Sequence, residues 1–220
     1  MLQSAFLKSF LEGTPPKEIR MAAAGGFAPL PPEETLQLLV HLIADPDEAV
    51  SSRSRETLRS WLDEDVVAQV QRRECSLEVL EYLASASSSE TVLEGIILNP
   101  ATPGWIVAAV VLRGSSHLLE TALYNRARLQ DCPEILRNMR LNPSATSQLI
   151  SLAEQIESEL LKLQNQPAFR FFKALETVTK SSAFIDLINP PEALLILVDA
   201  GLCSAHVITP FSMGRPFRLL

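Results

Sequence analysis

The sequence predicts an all-α fold, an α-solenoid of short helical pairs, on three observations. First, an aliphatic helix end runs into an Asx-Pro dipeptide four times: LIADP (Asp45, Pro46), IILNP (Asn99, Pro100), MRLNP (Asn142, Pro143) and DLINP (Asn189, Pro190). Second, the segments between these marks carry apolar residues at helical spacing, as in Leu36, Leu39, Val40 and Ile43, or Leu118, Leu119, Ala122 and Leu123. Third, no Asn-Gly or Asp-Gly hairpin signal occurs and no stretch alternates apolar with polar residues, so nothing announces a sheet.

Taken in order, the chain opens on Leu2, Phe6, Leu7, Phe10 and Leu11, one apolar stripe closed by Gly13, which reads as an amphipathic helix and not a signal peptide. Each Asx-Pro pair is a stop signal. Proline disfavours the helical conformation in the residue before it, and Asn or Asp tolerates a cap or bonds its own backbone. A start signal succeeds each pair: Asp47-Glu48, Thr102 with Pro103 at the first helical position, Ser144 to Thr146, and Pro190-Pro191-Glu192. Weaker marks fall at about half the interval: Thr14-Pro15-Pro16, Pro31-Pro32, Asp63-Glu64, Ser88-Ser89-Glu90, Ser115-Ser116 and Cys132-Pro133-Glu134. The Asx-Pro pairs lie 54, 43 and 47 residues apart, and the expectation is two helices per interval and ten to thirteen helices in all. The stripes nominate a continuous core of Leu36, Leu39, Ile43, Leu93, Ile97, Leu119, Leu123, Leu136, Leu149 and Leu152. A long helix from Thr146 to Leu163 precedes a boundary near Asn165-Gln166-Pro167, which divides a repeat stack over 1–165 from a C-terminal cap or small helical extension over 166–220 that begins with Phe169, Phe171 and Phe172.

With its paired helices at 40 to 47 residues, the chain resembles HEAT- and armadillo-type repeats over residues 14–165. Its phrases Leu98-Asn99-Pro100-Ala101-Thr102-Pro103 and Leu141-Asn142-Pro143-Ser144-Ala145-Thr146 are similar to those of leucine-rich-repeat-variant and HEAT-like helical repeat proteins. The resemblance implies a right-handed superhelix of HEAT-like pairs, and with it a protein-interaction scaffold. It depends on helix punctuation and carries no catalytic residue.

Charge bounds the partners. A net charge of -7 and a pI near 5.1 have the wrong sign for coating nucleic acid or an anionic membrane. The acidity is uneven: residues 1–110 hold 8 basic and 16 acidic side chains, residues 111–220 hold 11 and 10. Three cysteines, Cys75, Cys132 and Cys203, are odd in number and widely spaced, which fits a reducing, cytoplasmic setting better than a disulfide framework. The longest apolar run, Trp105 to Leu112, is far short of the roughly 20 residues needed to span a bilayer, so no membrane segment is expected.

Nucleophile elbow, Walker loop, zincin and dinucleotide signatures are absent, so no catalytic residue and no cofactor is assigned and the chain reads as a non-enzyme. Cys203 and His206 stand at i, i+3 with no second pair of metal ligands near in sequence, so no metal is assigned either. Asp45, Asp47, Glu48 and Asp63, Glu64, Asp65 sit at helix starts, where the helix dipole accounts for them. His41 reads as a helix residue at the core's edge, and Cys132 as a small loop residue before a helix whose dipole would favour its thiolate.

The feature richest in recognition chemistry is the arginine set Arg113, Arg126, Arg128, Arg137 and Arg140, which includes no lysine. Guanidinium groups bind carboxylate or phosphate in a bidentate way, so these five are the candidate binding residues, facing another protein or an acidic peptide segment. The alternative function is a nucleic-acid- or anion-binding module using the same arginines, which the global charge opposes. The plain reading of the five is solvated arginines bridging to local acids such as Glu120, Asp131 and Glu134. Trp61 and Trp105 are expected to pack against the protein and not to stack on bases.

Overall fold

The computed structural model describes residues 4–164, and within them the chain forms twelve helices and no strand. They are α1 (Ala5–Leu11), α2 (Lys17–Ala24), α3 (Pro32–Ile43), α4 (Glu48–Arg59), α5 (Asp63–Val70), α6 (Leu77–Ala86), α7 (Glu90–Leu98), α8 (Gly104–Arg113), α9 (Ser116–Leu123), α10 (Arg126–Asp131), α11 (Glu134–Leu141) and α12 (Ser147–Gln164). The Asn189-Pro190 stop, Cys203, His206, the Phe169 cluster and the 166–220 extension lie outside the described residues. The chain divides into two units between Gln155 and Ile156, inside α12, and the first unit holds α1 to α11 with the start of α12.

The punctuation places the helix ends. Asp45 comes two residues after α3, and Asn99 and Asn142 are the C-caps of α7 and α11. At the starts, the side chains of Asp47, Ser89, Ser115 and Thr146 accept from the first-turn amides of α4, α7, α9 and α12. Two expectations at the start of α8 are corrected. Pro103 is the N-cap, one residue before the first helical position, and Thr102 is buried with its hydroxyl donating back to the Ile96 carbonyl at 2.7 Å instead of capping forward. Two breaks carry no proline and stand apart from the marks: Ser76 caps α6 and Asn125 caps α10.

Helices α3, α6, α8 and α11 pack successively as one row, and α5, α7 and α9 as a second, with α6, α7, α8 and α9 also touching across the rows. Helices α1, α2 and α4 pack around α3, and Leu7, Phe10, Ala23, Ala24, Leu38, Leu42 and Val50 form a core cluster there. From α5 onward, neighbours within a row recur at a shorter interval than the Asx-Pro spacing suggests. Asn99 and Asn142 end helices in different rows, so the 43 residues between them do not measure one stacking step. The step is read from the side chains themselves, because Asn99 reaches back 29 residues to Val70 and Asn142 reaches back 31 to Val111.

Of the nominated core, Leu36, Leu39, Leu93, Ile97, Leu119, Leu123, Leu136 and Leu149 are buried and Ile43 is partly so. Leu152 is corrected: it is 41% exposed. The buried stripe of α12 follows Leu149, Ala153 and Ile156, and position 152 lies to one side of it. The crossing of α10 into α11 over α8 is close, since a Cβ at Gly104 would stand 2.4 Å from the Cys132 Cβ. Glycine is required there by contact, not by conformation.

Candidate functional site

The Asx residues before proline do more than stop helices. The Asn99 Nδ2 donates to the carbonyls of Val70 at 2.6 Å and Arg72 at 2.9 Å, the free end of α5, while its Oδ1 accepts from Ala101 N–H at 2.7 Å. Asn142 repeats the arrangement on α8, donating to Val111 at 2.6 Å and Gly114 at 2.9 Å and accepting from Ser144 N–H at 2.7 Å. Both amides are almost fully buried. Each satisfies the carbonyls that the preceding helix of its row leaves without intrahelical partners.

Two of the five candidate arginines serve the same purpose. The Arg113 guanidinium donates to the carbonyls of Ala84 and Ser87 at the end of α6. Arg128 donates to those of Ile97 and, at 2.7 Å, Asn99 at the end of α7, and burial lowers its pKa. Bidentate recognition is therefore present, but its object is backbone within the chain. Arg126 is exposed on α10 and Arg140 half-buried on α11, each with polar partners of its own. Arg137 is exposed on α11. Arg113 and Arg128 are thus engaged with backbone carbonyls, while Arg137 and Arg140 stand three positions apart on α11.

The outer side of the first row has a different character. Helix α8, GWIVAAVVLR, is apolar on every face, a composition usual for a fully buried helix. Five helices touch it, yet Trp105 and Leu112 remain 48% and 45% exposed and Ala109 is exposed between them. These positions at i, i+4 and i+7 form one stripe. Trp105 is half exposed, because the neighbouring residues Ile106 and Val107 take the inward positions. On one side, α6 exposes Glu78 and Glu81; on the other, α11 exposes Glu134, Arg137 and Leu141. The His41 Nδ1 stands 3.4 Å from Glu78, tying α3 to this flank.

A separate feature lies between α3, α5 and the turn into α6. A cavity of about 310 Å³ is lined by Glu33, Glu34, Gln37, Gln69, Arg72, Glu74, Cys75 and Ser76 over an apolar floor of Leu36 and Val79. Burial pushes the Cys75 thiol up to about 11, so it is a neutral wall of this space and not a nucleophile. Among the described residues no three His, Cys, Asp or Glu side chains gather as a metal centre would, and no helix is long and apolar enough to cross a membrane.

Neither a family model, nor a curated protein, nor a solved structure matches the chain.

Proposed function

We propose that the chain is a non-catalytic protein-interaction scaffold, a right-handed HEAT-like α-solenoid that receives an amphipathic helix of a partner protein along the outer stripe of α8. The observation that carries this reading is the exposed Trp105, Ala109 and Leu112 stripe on a helix otherwise enclosed by its neighbours. Contiguous exposed apolar surface marks interaction sites, and a helix laid in such a position anchors through residues at i, i+3/i+4 and i+7. Tryptophan is also the residue type most enriched where binding energy concentrates. The flanks add orientation. Glu78 and Glu81 call for cationic side chains on one edge of the partner helix, while Glu134 and Arg137 present one charge of each sign to the other.

Photo-crosslinking from Ala109, followed by sequencing of the attached peptide, tests the reading. The expected product is a helix-forming segment with that charge asymmetry, captured about tenfold less by a Trp105→Ser, Leu112→Ser double variant of unchanged circular dichroism. Crosslinks confined to a second copy of this chain, or insensitive to the double variant, would reject it.

A further inference from the structure

We infer that the docking face on α8 is directional: the partner helix lies on it with a cationic end over Trp105 and an apolar anchor between Leu112 and Leu141. This rests on the reading of α8 as the docking helix, and it adds to that reading a specificity-determining residue on α11. Side-chain hydrogen bonds fix how the helices of the row stand beside one another. Asn138 Nδ2 donates to the Ala108 carbonyl at 2.9 Å and Asn142 Nδ2 to that of Val111 at 2.6 Å, 30 and 31 residues back. Arg113, at the end of α8, reaches 29 residues back to the Ala84 carbonyl at the end of α6. Helices α6, α8 and α11 therefore run parallel, and their exposed stripes share levels. Trp105 stands level with Glu78 and Glu134, and Leu112 with Ser85 and Leu141, all six outside the core.

The two levels differ in chemistry. At the first, a half-exposed indole lies between carboxylates from two neighbouring helices, an arrangement that receives an ammonium or guanidinium over the ring. Leu77, half exposed at the start of α6, offers apolar surface to the stem of such a side chain. Glu78 also stands 3.4 Å from His41 Nδ1, which holds it in place on this flank. At the second level, Leu112 and Leu141 are 45% and 72% exposed, and the next residue of α8 is Arg113. A lysine placed there would meet a cation in place of a carboxylate, so only one orientation satisfies both ends. Leu141 is the last residue of α11 and contributes little to the core, so its side chain is available to a partner and dispensable to the fold.

Two synthetic amphipathic helices test this. They share one leucine stripe and a photo-reactive group on the C-terminal residue, and they differ in carrying their lysines in the first turn or in the last. Titrated into the full chain, the first should crosslink at the Leu112 and Leu141 end and the second at the Trp105 end. Leu141→Ser should weaken both about fivefold with an unchanged melting curve, whereas Leu98→Ser, at an exposed leucine of α7, should weaken neither. Crosslinks at one and the same end for both peptides would overturn the inference. So would full affinity in Leu141→Ser while the Trp105→Ser, Leu112→Ser double variant loses binding, an outcome that leaves the reading of α8 standing. Failure of both peptides to bind, or binding insensitive to that double variant, would remove both.

Discussion

The α1–α4 region and the α5–α11 region end helices with the same Asx-Pro device and fasten it in opposite ways. In α5–α11 the residue is Asn, whose amide donates to the carbonyls of the preceding helix in the row, at Asn99 and again at Asn142. In α1–α4 it is Asp45, which still accepts from the backbone two residues on, at Asp47 N–H, but has no proton to give a carbonyl. Arg20 supplies the missing donors. Its Nε lies 2.8 Å from the Asp45 carboxylate, in a pair whose side chains are 13% and 5% exposed, and its Nη1 donates to the Pro15 carbonyl at 2.7 Å. One region is joined by neutral amides that a single residue provides, the other by a charge pair that needs two. The same chain-stopping dipeptide thus builds either a self-sufficient joint or one dependent on a partner helix.

The most direct way to break this distinction is to exchange the two chemistries. Asn142→Asp places a carboxylate where the Val111 and Gly114 carbonyls expect a donor, and should cost about 3 to 5 kcal/mol in denaturant unfolding. Asp45→Asn keeps an acceptor for Asp47 N–H but leaves the largely buried Arg20 guanidinium without its counter-charge, and should cost about 3 to 5 kcal/mol as well, a loss that Arg20→Leu in the same chain reduces. A loss below about 1 kcal/mol for Asp45→Asn, or none recovered by Arg20→Leu, would show that the charge pair does not hold that joint.

A second comparison separates stripe from flank within one helical pattern. Leu119 is fully buried in the second row, and Leu119→Ala should cost about 2 to 5 kcal/mol by lost transfer energy and cavity formation. Leu152→Ala, at a position with 41% exposure, should cost less than about 1 kcal/mol. Thermal or chemical unfolding of the two variants reads both, and a large loss at Leu152 would place it back in the core.

Helix ends were legible in the sequence because their signals are local: a proline removes a donor and restricts its neighbour, and Ser or Asp caps the next turn. Each Asx-Pro mark within 4–164 ends a helix within two residues of its expected place. The stacking interval was not legible, because the two Asn-Pro marks end helices in different rows and only the long-range hydrogen bonds reveal which carbonyls they meet. The fate of the arginines was equally hidden. A guanidinium suited to carboxylate or phosphate is equally suited to the carbonyls of a helix end, and which of these it meets depends on residues about 30 positions away. The Asn-Pro-Ala and Asn-Pro-Ser phrases did hold the one available sign of the amide ladders, since proline alone would have stopped the helix.

The arginines also give the smallest expected effects, and these sharpen the contrast between joint and surface. Arg128 closes the end of α7 with hydrogen bonds to two carbonyls, so Arg128→Ala should destabilise the fold by about 1 to 2 kcal/mol, the lower part of the range for charged hydrogen bonds because the side chain is only half buried. Arg137 lies exposed on α11, and Arg137→Glu should change stability by less than about 0.5 kcal/mol. Its effect belongs to recognition. Reversing the charge beside the Trp105 stripe removes the one cation presented to that edge of the partner helix and sets a second carboxylate beside Glu134, which would shift the association rate and its dependence on salt while leaving the melting curve in place. Denaturation and binding measured on the same two variants separate the roles. If Arg128→Ala left stability intact while Arg137→Glu destabilised the fold, the division between arginines that close helices and arginines that face a partner would be drawn in the wrong place.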